Sequence, residues 1–323
     1  MMKQLNLGNS GLNASAVALG CMRIGELPAE KLERLFFAAL EAGINFFDHA
    51  DIYGGGLCET RFGELLARHP GLREKILLQS KCGIRKGFFD FSKKHILESV
   101  EGSLKRLQTD RLDLLLLLRP DTLMEPEEVA EAFQLLYDSG KVRHFGVSNE
   151  NPAQMELLQK FLPRKLIVNQ LQFGPAHTSL VDCGLNVNIN SSAGTMFDGS
   201  VLEYCRLREV TIQTWSPFLF GFFEGNFLVD SRFAELNTTL GRIGERYGIS
   251  REATAIAWIA RHPARIQTII GTTRADRVAD YSRGGRRGAH PRGVVRNLPL
   301  RRQPPAVNGT CAAVELFRRA TMD

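Results

Sequence analysis

Three side chains in the first quarter of this sequence could together manage a proton. Asp48 and Tyr53 stand in the stretch Asp48-His49-Ala50-Asp51-Ile52-Tyr53-Gly54-Gly55-Gly56, and Lys81 stands in Ser80-Lys81-Cys82-Gly83. A phenol with a pKa near 10 is a poor acid–base group at neutral pH. A neighbouring ammonium stabilises the phenolate and lowers that pKa, while a carboxylate paired with the ammonium fixes its position. If the fold brings them together, the three make a general acid. Each alone has a commoner reading: an Asp at a strand end is more often a helix N-cap or turn residue, and a Tyr beside three glycines more often packs at a loop. Their joint occurrence favours the chemical reading. His49 and Asp51 are expected to be structural, His49 because strand alternation turns it away from Asp48.

The elements that must position these residues follow from periodicity. Short β-branched or leucine-rich runs predict eight strands: Ala16 to Leu19, Asn45 to Asp48, Ile76 to Ser80, Leu112 to Leu117, His144 to Ser148, Leu166 to Gln170, Val210 to Trp215 and Gln267 to Ile270. Between them lie helical patterns with recognisable ends. One runs from Pro28 to Ala42 and stops at Gly43; others span Glu59 to Arg68, Ser92 to Leu107 with Ser92 as N-cap, and Pro126 to Ser139. Asn151 to Phe161, Ser200 to Leu207, Arg232 to Tyr247 and Ser250 to Arg261 complete the series. Such alternation predicts an α/β fold with parallel strands, and eight repeats in about 280 residues favour a closed (β/α)8 TIM barrel over an open sheet. The G-x-G-x-x-G signature of an open dinucleotide-binding sheet is absent after the first strand, which leads into Gly20-Cys21-Met22-Arg23.

Composition narrows the classes further. The 323 residues are 44% hydrophobic and 24% charged, an ordinary globular balance that needs no disulfide or metal staple. The six cysteines are scattered without a C-x-x-C pair, so reduced thiols and no metal are expected. No apolar run is long enough to cross a bilayer, and a cytoplasmic location is the default expectation. The net charge of +6 is uneven: nine arginines and two acids lie from Tyr281 onward, which leaves 32 basic and 33 acidic residues before it.

In a barrel, chemistry belongs on the loops after the strands' C-terminal ends. Besides the Asp48–Gly56 and Lys81 segments, those places carry Ser148-Asn149, Asn169-Gln170, Trp215-Ser216-Pro217 and Gly271-Thr272-Thr273. In order and spacing this set resembles the aldo-keto reductase superfamily, especially its short-chain bacterial oxidoreductase branch, over roughly residues 3 to 280. The resemblance implies that NADPH supplies hydride to an aldehyde or ketone, that Tyr53 donates the proton, that Lys81 tunes it and that Asp48 holds Lys81. It also implies that Ser148, Asn149 and Gln170 bind the nicotinamide carboxamide and that Trp215 stacks on the ring. Ser216, Pro217 and Gly221 would lie along the pyrophosphate, and Gly271, Thr272, Thr273, Arg274 and Arg277 would hold the adenosine 2′-phosphate.

Two departures stand out. Resembling proteins carry a catalytic His where this chain has Leu118, so a weakened reductase is expected; the alternative is an NADPH-binding protein with little turnover, in a sensor or subunit role. After Asp280 the resemblance stops, and the division expected is a barrel over 1–280 and an irregular Arg/Gly/Pro-rich tail over 281–323, read as a reading-frame change that removes the helix covering the last strand. The tail lacks aromatic interleaving, so a nucleic-acid partner is not expected; the partner implied is a small carbonyl substrate, with no membrane. Candidate substrate loops are 87–91, 173–178, 188–198 and 218–227, whose phenylalanines suggest an apolar substrate or else core packing.

Overall fold

The computed structural model describes residues 1–190, 194–195 and 198–286. An antiparallel hairpin opens the chain, with β1 Gln4–Leu7 paired to β2 Leu12–Ser15. Strands β3 Val17–Gly20, β4 Phe46–Asp48 and β5 Leu77–Cys82 follow, then a second small hairpin of β6 Ile84–Arg85 and β7 Phe88–Phe89. Strands β8 Leu112–Leu118, β9 Val142–Ser148, β10 Leu166–Gln172, β11 Thr211–Trp215 and β12 Gln267–Ile270 complete the set. Strands β3, β4, β5, β8, β9, β10, β11 and β12 form a closed barrel in that order, all parallel, with β12 returning to β3 at Thr268 opposite Val17. All eight expected strands are present. The β8 run Leu-Asp-Leu-Leu-Leu-Leu-Leu is buried along nearly its whole length, as expected for a strand covered on both faces.

Helices α1 Ala29–Glu41, α2 Leu57–Arg68, α3 Lys93–Leu107, α4 Pro126–Asp138 and α5 Pro152–Phe161 surround the first strands. Their starts obey local chemistry: the Ser92 hydroxyl accepts from the His95 amide, and Asn151 and Gln154 form a reciprocal capping box. Helices α6 Ser179–Leu185, α7 Val201–Leu207, α8 Ala234–Tyr247, α9 Arg251–Ala260 and α10 Ala275–Ser282 cover the rest. One core lies between the strands' outer faces and these helices, built around Leu35, Phe36, Phe47, Phe62, Leu115, Phe145 and Ile259. A second fills the barrel's lower interior, where Leu5, Leu7, Leu12 and Ala14 of the hairpin meet Phe46, Leu114, Leu116 and Ile167. The hairpin therefore plugs the bottom. Its alternating leucines about Gly8-Asn9-Ser10-Gly11 carried the signal, which the sequence reading passed over.

The chain stays packed beyond Asp280. Helix α10 crosses that position, burying Val278, Tyr281 and Ser282, and the next turn reaches the N-terminal hairpin, where the Lys3 amide donates to the Gly285 carbonyl at 3.1 Å. Gly284 sits so tightly on α9 that a Cβ there would lie 2.4 Å from the Ala253 carbonyl oxygen. The covering helix expected to be missing is thus present, and residues 281–286 belong to the barrel rather than to a tail. Only two large apolar residues, Val278 and Tyr281, mark it, too weak a periodic signal to read. Residues 287–323, including Cys311, lie outside the described residues. The five other cysteines are free and buried. Among the described residues, no helix is long and apolar enough to cross a membrane.

The Tyr281 ring packs edge-on against Phe218 at 5.3 Å. Tyr281→Ala is expected to destabilise the barrel by about 3 kcal/mol, read as a lower urea midpoint at unchanged slope. An unchanged midpoint would show that this turn contributes nothing to the fold.

Candidate active site

Strand β4 ends at Asp48, and the chain beyond it stays zipped to β5: the His49 amide donates to the Gln79 carbonyl at 2.8 Å and the Asp51 amide to the Lys81 carbonyl at 3.0 Å. Next comes a tight turn, Tyr53–Gly56, in which Gly54, Gly55 and Gly56 have φ of 58°, 63° and 92°. Three consecutive left-handed residues explain the glycine run, since a side chain would strain each of them. Gly56 also admits the Arg106 side chain, which would lie 2.9 Å from a Cβ at that place. Arg106 pairs with the fully buried Glu59 at 2.7 Å, and Glu59 accepts from the Ser80 hydroxyl at 2.6 Å, so α2, α3 and β5 together hold the turn.

This scaffold brings Asp48, Tyr53 and Lys81 into direct contact. The Lys81 ammonium lies 2.7 Å from Asp48 Oδ1, and donates to the Tyr53 hydroxyl at 3.0 Å and to the His49 carbonyl at 2.8 Å. Lys81 is completely buried and Asp48 nearly so. Burial acts to lower the Lys81 pKa, but Asp48 and Tyr53 outweigh it and the net direction is up, keeping the ammonium charged. For Tyr53 the balance differs from the sequence expectation: exclusion of water is the larger effect, so its pKa is raised although Lys81 pulls it down. The His49 ring turns outward to an edge-on contact with Phe62 at 4.6 Å, and burial, with Lys81 nearby, pushes its pKa down to about 3.

Glutamines surround the pair, Gln170 in a role other than the expected one and Gln79, Gln213 and Gln267 unmarked by the sequence reading. Gln79 and Gln170 both donate to Asp48 Oδ1, Gln170 at 3.2 Å. The chain continues as Gln170 donates to Gln213 at 3.0 Å, Gln213 to Gln267 at 2.7 Å, and Gln267 to the Ser15 carbonyl at 2.7 Å. A line of buried amides therefore crosses the barrel from the end of β2 to Asp48. Its signal in the sequence was a glutamine within or at the head of each of the strands β10, β11 and β12. Gln170, expected at the carboxamide, spends both amide hydrogens inside this chain.

The other expected cofactor residues are placed as follows. Asn149, at φ 61°, donates to the Ser148 hydroxyl at 2.8 Å and accepts from the Trp215 indole at 3.3 Å, so three of them converge. Together with Arg119, Glu150, Gln172, Asp198 and Phe222, Asn149 and Trp215 border a cavity of about 340 Å³. Ser216 has φ 47°, and the Pro217 carbonyl presses against Gly174. The Gly221 carbonyl accepts from Gln172 at 2.9 Å, and the Glu224 carboxylate lies against Gly221, a poor neighbour for a pyrophosphate. Gly271, Thr272 and Thr273 follow β12 at the surface; Arg274 pairs with Asp276 at 2.5 Å, and Arg277 contacts the Tyr281 hydroxyl. Both arginines are exposed. Among the described residues no cluster could hold a metal.

Leu118 sits at the top of β8 beside Ser148, with no group that could donate to a carbonyl. His144 pairs with Leu114, four residues and about 13 Å down the sheet, and cannot replace it. The phenylalanines of the 218–227 loop give little support to an apolar substrate. Phe218, Phe220 and Phe227 pack with Phe233 and Tyr281, and Phe222 is the one that borders the cavity.

The Asp48–Lys81–Tyr53 contact thus lies at one rim of a closed (β/α)8 barrel. Residues 16–283 match the aldo/keto reductase family, and the chain belongs to that family. It is 39% identical to the uncharacterized oxidoreductase YcsN of Bacillus subtilis over 86% of this chain and 91% of that protein. It is 35% identical to a 6-dehydroglucose reductase of Agrobacterium fabrum, over 83% of this chain and 87% of that one. In fold it matches an aldo-keto reductase of Klebsiella pneumoniae, solved in complex with NADPH, with a TM-score of 0.69 at 23% identity, over 88% and 89% of the two chains.

Interrupting the amide chain tests its part in the site. Gln213→Leu leaves the Gln170 donor and the Gln267 acceptor without a partner, and is expected to destabilise the fold by about 1–3 kcal/mol in urea unfolding. A negligible effect would show that the chain is incidental.

Proposed function

We propose that this protein reduces an aldehyde or ketone to an alcohol with NADPH, and that Asp48, Tyr53 and Lys81 form its catalytic set. The observation that carries the reading is the buried Lys81 ammonium held between Asp48 and the Tyr53 hydroxyl. NADPH, when bound, supplies hydride to the carbonyl carbon. The Tyr53 hydroxyl gives its proton to the carbonyl oxygen as negative charge develops there, and Lys81 stabilises the phenolate left behind. Asp48 keeps the ammonium in place and balances its charge. Burial keeps Tyr53 protonated at neutral pH, which is the form that reduction needs.

Support for the cofactor comes from Asn149, bonded to Ser148 behind it, meeting Trp215 at one wall of a cavity, and from two exposed arginines beside β12 suited to a phosphate. Arg274 must leave Asp276 to serve that role, which makes Arg277 the readier ligand. Gln170 contributes to the reading by orienting Asp48, with only its carbonyl oxygen left for a ligand.

Leu118 favours slow turnover. The absence of one donor to the developing oxyanion lowers rate by about 10²–10³, so Leu118→His is expected to raise kcat by up to that factor. A second reading, NADPH binding with little turnover, draws on the same residue. Following NADPH by fluorescence for binding and by absorbance with a reactive aldehyde for chemistry separates the two: decay that Tyr53→Phe abolishes while binding persists supports the reductase, and saturable binding without decay supports the second reading.

The pH dependence has a definite sign. Because the Tyr53 pKa is raised, the proton needed for reduction is present throughout neutral pH and is lost only above about 10. Reduction is therefore expected to hold constant from about pH 7 to 9, while alcohol oxidation, which needs the phenolate, climbs with alkalinity. A reductase rate falling with an apparent pKa near 7 would contradict the assignment of Tyr53 as the acid.

A further inference from the structure

For a proton from Tyr53, beside β5, and hydride from a ring held at Asn149, beyond β9, to reach one carbonyl, the substrate must lie over the end of β8, the strand between those two. Strand β8 pairs with β5, Leu116 opposite Lys81, and with β9, Leu118 opposite Ser148. Arg119, the next residue, is left-handed at φ 70°, a strained conformation for an arginine that persists only where its surroundings impose it. It is half-buried, and it is the one lysine or arginine among the residues bordering the cavity of about 340 Å³. Its guanidinium lies over the Phe222 ring, 4.5 Å from the centroid, a contact that uses the flat face and leaves the N–H donors at the edge. No hydrogen bond or ion pair reaches it among the described residues, and burial lowers its pKa with no acid to offset the effect. Arg73, Arg106, Arg111 and Arg143 elsewhere on the barrel each hold a carboxylate. The nearest acid along the chain, Asp121, is occupied by the Phe91 and Leu123 amides at 3.1 and 2.9 Å. Of the acids bordering the cavity, Asp198 accepts from the Ser200 amide at 3.1 Å, and burial pushes the Glu150 pKa up to about 8, so that carboxyl is neutral at pH 7.

We propose that Arg119 sets substrate specificity by binding a carboxylate on the carbonyl compound, so that the substrate class is an aldehyde or ketone that also carries an acid group. The inference rests on the reductase reading above and deepens it by naming that class. The planar fork of a guanidinium matches two carboxylate oxygens at once. One monocation also balances one carboxylate, whereas a phosphate monoester, with a charge of about −1.5 to −2, would be left partly uncompensated. An acid group held at the end of β8 leaves the rest of the molecule free to reach toward Tyr53, one strand away.

The test is the ratio of kcat/KM for meta- and para-carboxybenzaldehyde to that for the neutral carboxamides of the same aldehydes. It is measured with NADPH at pH 7 on the full-length wild type, Arg119→Met and Arg119→Lys, with para-formylphenyl phosphate as a further probe. The wild type is expected to prefer at least one acid over its amide by about tenfold or more, the difference lying in KM. Arg119→Met keeps most of the stem and loses the charge, and should bring that ratio to about one; Arg119→Lys, with a charge but no fork, should fall between. A merely structural role would change acid and amide alike and leave the ratio unmoved. A wild-type ratio near one, a ratio that Arg119→Met does not change, or a preference for the phosphate over the carboxylate overturns this inference alone. Failure of the wild type to oxidise NADPH with any of these aldehydes overturns the reductase reading and this inference with it.

Discussion

Burying an ammonium group away from water is costly, several kcal/mol even after relaxation, and Lys81 is completely buried. What makes the burial sustainable is that its three hydrogens meet three acceptors: the Asp48 carboxylate at 2.7 Å, the His49 carbonyl at 2.8 Å and the Tyr53 hydroxyl at 3.0 Å. The first compensates the charge, the second comes from backbone fixed by its own bond to β5, and the third is the group whose chemistry matters. Without Asp48 the ammonium would be an uncompensated charge in the core, a loss of about 3–5 kcal/mol. The shape of the β4–α2 turn and the glutamines below it follow from that need.

A barrel suits this arrangement because neighbouring parallel strands end at the same rim and deliver side chains from separate parts of the chain to one place. Asp48 and Lys81 come from adjacent strands, and Tyr53 from the turn that the first of these enters. Gln79 and Gln170 share the same carboxylate oxygen with Lys81. Water is excluded from the group, and the consequence is a phenol held in its protonated form rather than a weakened one. Lys81 then acts at the moment the proton leaves, when a phenolate would otherwise be stranded in a low-dielectric site.

Much of this was legible in the residues. The eight barrel strands stand near their expected bounds because each is an apolar run flanked by turn chemistry, and the contact among Asp48, Tyr53 and Lys81 follows from strand ends sharing a rim. The N-terminal hairpin escaped notice because its strands are only four residues each. Helix α10 escaped because arginine and glycine composition around it mimics a loop. The glutamines could be seen as polar residues in apolar strands, but not their chain of bonds: whether a polar side chain inside a strand faces a partner or an empty cavity depends on register, which one sequence does not disclose. The sign of the Tyr53 shift was misjudged for a related reason, since charge can be read from letters and solvent exclusion cannot.

The most direct test of the central claim is a ¹³C NMR titration of the Tyr53 ring carbon bonded to the hydroxyl, with Tyr53→Phe used for assignment and Lys81→Met for comparison. The account predicts a phenol in the wild type up to at least pH 10 and a titration displaced to still higher pH once the ammonium is gone. A Tyr53 resonance already ionised near neutrality, or one that Lys81→Met leaves unmoved, would contradict it.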